Sequence, residues 1–385
     1  MKGIFFVLAA AYLSFVALGF FDGAFAVAWP IIRYDMGLHL DQAGVVIIVN
    51  SILYTLSSSQ IGRLSQRMRC ERVNLLGILA TMLGLLSLSL APGFATLVIA
   101  GGLAGIGMGM IDASLNLYMA RNFSARYMNW LHCSWSIGAT LSPIVMSQMV
   151  LIAGWRSGYV ALAAIQGMIV IFVLTSLARG VWIARDGSRA HGLETMNGKT
   201  YLTHPRYQYI NISIFFLYMG ADYSIGFWTA SVMMESRNLG IDYAAVFPAV
   251  YFASIMVGRI ISGYLAKRFS NMAMIRAGFS LTIVGLVIMI LSNNVTGIAL
   301  VGLGFAPVYP SLMHDTARLF NPSILTKQVG RQVAAAGVGI AIMGPAIGLA
   351  LSRFSPEVLF PFVAVIVAIV FILNEITERG LNTVK

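Results

Sequence analysis

Apolar runs of about twenty residues recur from one end of the chain to the other, each closed by a short polar or glycine-rich break. A helical run of that length crosses the ~30 Å hydrocarbon core of a bilayer. The pattern predicts twelve spanning helices, over 3–32, 41–62, 73–91, 94–120, 129–153, 156–182, 208–234, 243–266, 271–292, 295–317, 327–352 and 356–376. The connections are short except for "IARDGSRAHGLETMNGKTYLTHPRY", residues 183–207, which is polar and divides the chain nearly in half. The expected fold is an all-α membrane protein. A six-helix bundle fills residues 1–182, a cytoplasmic linker loop 183–207, and a second six-helix bundle 208–385.

Composition agrees with the pattern. Of 385 residues, 58% are hydrophobic and only 10% are charged, where a soluble domain carries roughly 25%. The mean hydropathy is +0.83. The first run, Met1 to Pro30, is too long for a signal peptide, contains Asp22 and lacks a small-residue cleavage site, so it reads as the first span. Cys70 falls in a basic loop and Cys133 in an apolar helix, so neither a disulfide nor a metal site is expected, and no cofactor is implied.

Charge adds an orientation. The net charge is +11, and 20 of the 25 basic residues fall on one side of the predicted spans. Arg33, Arg156, Arg237 and Arg353 fall on the other, and Arg259 stands within a helix. The positive-inside rule then places both termini in the cytoplasm of an inner cell membrane. The basic side meets anionic lipid headgroups, and nucleic acid is not an expected partner.

The halves also echo each other. "GRLSQR" (62–67) follows the second span and "GYLAKR" (263–268) the eighth, and Asp22 and Asp222 are 200 residues apart. A duplicated six-helix unit is a mark of secondary transporters. The chain resembles the major facilitator superfamily over its whole length. "GRLSQR" and "GYLAKR" resemble that family's cytoplasmic loop motif, with Gln66 and Lys267 in place of its acid, and "GWR" (154–156) is another common feature of it. "DASLN" (112–116) resembles the fourth-helix acid and following Asn of the fucose-permease-type sugar–proton symporter branch. "NWLH" (129–132) resembles its fifth-helix Asn-x-x-Gln, with His132 in place of Gln. In the first helix that branch's acid lies about one turn before a Pro, which here would be Ala26, and Asp22 stands a turn earlier. The resemblance implies a proton-coupled symporter with two bundles around a central cavity, alternating access, and a monosaccharide or related hydroxylated solute.

The candidate chemistry lies in a few ionisable residues inside apolar helices, where a charge costs at least ~2.5–3.5 kcal/mol. Asp112 is the first. Gly101, Gly105 and Gly109 beside it make a smooth face for a neighbouring helix, and Asn116, one turn on, shares the face of Asp112. Burial disfavours a carboxylate's charged form, which suits proton uptake and release. Asp112 and Asp22 are the expected proton-coupling residues, against a purely structural role as interhelical anchors. The expected substrate-binding residues are Asn116; Asn129 and His132, on one stripe with Ser136; Asp222 with Tyr218, Tyr223 and Trp228, a carboxylate among aromatic faces; Asn50 and Tyr54 on the second helix; and Tyr309 between Pro307 and Pro310, which mark a hinge in the tenth. Arg259 is read as a charge partner: for an anionic substrate, for a moving carboxylate, or in a fixed ion pair as its head reaches toward the interface.

No enzyme motif is found, and "GIGMGM" lacks the strand context of a nucleotide site. The expected partners are a small-molecule substrate, protons and membrane lipid, with the protein a monomer. Two alternatives stand beside the symporter: a proton-driven exporter of amphipathic compounds or sugars, and a transporter-like sensor that binds without moving its ligand.

Overall fold

In the computed structural model, residues 2–123, 125–182, 201–202, 204–266 and 268–384 are described. Among them twelve helices are long and apolar enough to cross a membrane. They are α1 (Ile4–Met36), α2 (Leu40–Ser59), α3 (Cys70–Ser89), α4 (Phe94–Asn122), α5 (Ala125–Ala153), α6 (Trp155–Ala178), α7 (Pro205–Glu235), α8 (Ile241–Leu265), α9 (Asn271–Leu291), α10 (Val295–Leu319), α11 (Pro322–Arg353) and α12 (Leu359–Val384).

Local chemistry sets the ends and the breaks. Gly37, with φ +64°, accepts the left-handed turn that closes α1. Pro205 starts α7 with the His204 imidazole accepting from the Arg206 N–H, so α7 begins three residues before the expected 208. Much of the expected linker, 183–200 and Thr203, lies outside the described residues, as does Lys267 of "GYLAKR". "GRLSQR" falls in a short helix, Ile61–Arg67, whose Gln66 side chain is likewise outside them. In α10 the helix breaks at Ala306–Pro307, between Val295–Phe305 and Val308–Leu319, because proline lacks the N–H and its ring meets the preceding turn. No disulfide joins Cys70 and Cys133.

The two sets of six helices pack in the same pattern. In the first set α1 packs on α5 and α6, α3 on α4 and α6, and α2 on α4; in the second α7 packs on α11 and α12, α9 on α10 and α12, and α8 on α10. The close approaches recur too. A Cβ on Gly138 would lie 2.8 Å from the Val16 carbonyl carbon, and one on Gly339 would lie 3.0 Å from that of Phe216. Gly77 meets Gly107 between α3 and α4, as Gly278 meets Gly304 between α9 and α10. Only a missing side chain permits helices to approach so closely.

The halves touch through α1 and α7, α2 and α11, and α5 and α8. Most of these contacts lie on the face opposite the termini. The Arg33 guanidinium grips the Glu235 carboxylate with two parallel bonds of 2.7 and 2.6 Å. Ser352 donates to Asp41 at 3.4 Å, and Phe25 meets Phe227 with ring centres 5.5 Å apart. The contact nearest the termini is Trp135 against Phe252, edge-on at 5.6 Å. Past that pair, among the described residues, no hydrogen bond, ion pair or ring contact joins the halves. The described halves are thus joined on one face, and the space between them toward the face that carries both termini is called the cleft here.

Candidate functional site

Gly105 and Gly109 let α4 lie directly on the backbone of α2, where Gly105 meets the Asn50 carbonyl and Gly109 meets Tyr54 and Ser57. That contact carries Tyr54 to Asp112. The Tyr54 hydroxyl donates to Asp112 Oδ2 at 2.6 Å, and the Asn116 amide donates to Oδ1 at 2.8 Å. Asp112 is half-buried. The smooth glycine face expected beside it is real, and α2 is the helix that uses it.

Asp22 is also half-buried and lies beside the Trp135 indole N–H. It is within electrostatic reach of Tyr54 and Tyr223. Asp222 accepts from the Tyr251 hydroxyl, which also reaches the Asp222 carbonyl at 3.1 Å. Among the described residues none of these three carboxylates has an ion-pair partner within 4.0 Å; each meets a neutral donor.

The fifth helix carries His132 on the side away from its lipid-facing stripe. The lipid-facing stripe of α5 is exposed along Trp130, Ile137, Leu141 and Ile144. His132, two residues from Trp130, points to the other side of the helix, at roughly 100° per residue. Its side chain is exposed on that side of the helix. Its ring packs edge-on against Phe15 at 5.6 Å. Asp112 and Arg259 are both within its electrostatic reach. Asn129 stands on the same helix, and its side chain lies outside the described residues.

Arg259 on α8 is half-buried. It is within electrostatic reach of His132 and Cys133 on α5, Tyr218 and Asp222 on α7, and Tyr309 on α10. Its guanidinium makes no ion pair and no hydrogen bond among the described residues. Tyr309 follows the break in α10, packs edge-on against Phe215 at 5.6 Å, and feels both Arg259 and Asp112.

Three expected substrate contacts do other work. Trp228 is fully buried and donates its indole N–H to the Gly344 carbonyl at 2.9 Å, tying α7 to α11. Tyr218 is buried with its hydroxyl on the Phe305 carbonyl at 2.9 Å. Asn50 is buried and donates to the Gly101 carbonyl at 2.8 Å. A solute can reach none of these polar groups without breaking a helix contact. Tyr223 is half-buried and stacks on Phe227, ring centres 5.9 Å apart, near the closed face.

Trp135 and Tyr251 were not among the expected residues, although each serves a carboxylate. Their signal was faint: Tyr251 is one donor in an apolar turn, and Trp135 stands among serines that offer donors of their own. A separate groove of about 390 Å³ lies between α1, α5 and α6, lined by Leu13, Leu141, Leu162, Phe172 and other apolar side chains. It holds no polar group to orient a solute.

Comparison with known proteins fits this geometry. The chain is 22% identical over 261 residues to the glucose/mannose transporter GlcP of Bacillus subtilis (strain 168), a match that covers 65% of this chain and 64% of that protein. It is 24% identical to an uncharacterized MFS-type transporter of Yersinia pestis, over 92% of this chain and 91% of the relative. Among solved structures, a bacterial homologue of the human lysosomal transporter Spinster, inward-facing and occupied, superposes with a TM-score of 0.74 at 12% identity, covering 100% of this chain and 98% of the other. The nucleoside transporter NupG gives 0.74 at 11% identity, covering 96% and 99%. A family model described as Major Facilitator Superfamily matches residues 11–323. This chain, a multi-pass membrane carrier and not an enzyme, belongs to the Major Facilitator Superfamily.

Proposed function

We propose that the protein is a proton-coupled symporter for a small, polar, hydroxylated solute of the monosaccharide class, close to the fucose-permease-type branch. It works as a monomer in the inner cell membrane with both termini in the cytoplasm. Two six-helix bundles, 1–182 and 208–385, rock about the cleft. The glucose/mannose transporter among its relatives supports the solute class.

The observation that carries the reading is the setting of Asp112. Its partners are a tyrosine hydroxyl and an asparagine amide, with no cation bonded to it. Both partners can donate or accept. They can therefore follow the carboxyl group through either protonation state without an ion pair being broken. Asp22 is the second proton site; its indole neighbour can only donate. A buried charge opposes movement of the bundles through the closed state, and protonation removes that charge. Solute movement is thereby tied to proton movement. Asn116, His132 and Tyr309 line the route the solute takes.

The test is sugar uptake into proteoliposomes under an imposed pH gradient. Asp112→Asn is expected to abolish accumulation while solute exchange persists. Full gradient-driven accumulation by that variant refutes the coupling role.

A further inference from the structure

We infer that Arg259 is an anion-binding residue, and that the solute carries a carboxylate: a small sugar acid or hydroxy acid in place of a neutral sugar. The inference rests on the carrier reading above and narrows its cargo.

Arginine stays charged at any physiological pH and presents five N–H donors in a planar fork. A buried or half-buried guanidinium therefore needs acceptors. This chain supplies them elsewhere. Arg33 has Glu235, Arg69 has Glu71, Arg156 has Asp35, Arg237 has Glu357, Arg276 has Glu375, and Arg318 has Asp315 and Glu378. Arg259 has none among the described residues. Asp112 and Asp222 nearby are held by neutral donors and leave it unpaired.

The location is the cleft between the halves. Gly258, its neighbour in sequence, seats α8 on α10 at Ala306 and Leu303, which fixes the face that Arg259 presents. The fork then stands between α5, α7 and α10. Two further polar groups within electrostatic reach of Arg259 have no hydrogen bond to a described residue: the His132 imidazole and the Tyr309 hydroxyl. A carboxylate on the fork with hydroxyls on the tyrosine and imidazole satisfies the set. A neutral solute leaves the guanidinium unmatched. The charges agree as well: with Asp112 protonated, an anionic solute cancels Arg259 and lightens the transfer of charge through the closed state.

The experiment measures binding in detergent, where no gradient exists, so proton coupling can fail while anion recognition stands. Purified protein is melted with matched pairs: glucose and glucuronate, galactose and galacturonate, glycerol and glycerate. The acid of at least one pair is expected to raise Tm at concentrations about tenfold below its neutral partner, because a donor fork built for an acceptor discriminates against its absence. Arg259→Gln removes that difference. Arg259→Lys, which keeps the charge and loses the two-point grip, retains part of it. The inference falls if acid and neutral members act alike, if no acid shifts Tm, or if Arg259→Gln binds the acid as wild type does. Where the glutamine variant does not melt cooperatively, the lysine variant decides: undiminished acid affinity overturns the proposal. Gradient-driven uptake of the neutral sugar alone would leave the symporter standing and remove the anion.

Discussion

Gly138 seats α5 on the Val16 carbonyl, and Gly339 seats α11 on that of Phe216; Gly105 seats α4 on Asn50, and Gly302 seats α10 on Tyr251. Counted from these contacts, the halves part company. Seven residues after Gly105 comes Asp112, and seven after Gly302 comes Tyr309. Eight residues after Asn50 comes Ser58, and eight after Tyr251 comes Arg259. Asn50 holds a backbone carbonyl, while Tyr251 holds the Asp222 carboxylate. The repeated positions are those where helices touch. The positions that differ carry the polar and charged side chains between those contacts. Duplication has kept the scaffold and left one half an acid where the other has a phenol, and one half a cation where the other has a hydroxyl.

The largest effect expected from this comparison is structural. Gly138→Leu and Gly339→Leu each drive a side chain into a carbonyl of the facing helix, at a cost of about 3 kcal/mol or more. Both are expected to lose most folded protein, and similarly, in fluorescence-detected size exclusion. A tolerant half would break the equivalence of the scaffolds. At the matched cleft positions the halves should instead disagree. Asp112→Asn abolishes accumulation under a pH gradient, whereas Tyr309→Phe keeps accumulation and weakens apparent affinity; equal phenotypes would erase the division of labour.

Smaller effects separate anchors from lining residues. Trp228→Phe loses a buried hydrogen bond and some volume, so Tm should fall as for a loss of about 1–3 kcal/mol, with solute affinity unchanged. A changed affinity would return Trp228 to the site. The smallest effect is at the contact between halves. Arg33 and Glu235 are 29% and 16% exposed, so Arg33→Gln should cost about 0.5–1 kcal/mol. It should shift the molecule a few-fold toward opening on that face, read as labelling of a cysteine placed beside Gly44. No change in labelling would show that the apolar contacts, Phe25 on Phe227 and Gly44 on Pro345, hold that face alone.

The twelve helices were legible because spans in lipid announce themselves by length, and the α10 break because two prolines sit at one turn. Asp112 was legible for the same reason: a charge among glycines in an apolar run has few explanations. What the sequence could not separate was a tyrosine or tryptophan that lines the cleft from one that ties helices. Trp228 and Trp135 look alike in the sequence, each beside a small hydroxyl residue. Their difference lies in which backbone carbonyl or carboxylate their helix rotation brings to the indole, and that is settled by contacts between distant segments. Arg259 drew three readings, an anionic substrate, a moving carboxylate and a fixed ion pair, and the sequence could not choose; among the described residues it has no ion-pair partner.

The grip of Arg33 on Glu235 sits at the rim, where dissolved ions reach it. Its attraction fades as the surrounding medium grows saltier, over a Debye length that shrinks to roughly 3 Å at 1 M. A carrier latched by such a pair rests in one shape in dilute surroundings and drifts from it in brine, so the salinity of the compartment it faces becomes an input to how readily it turns over.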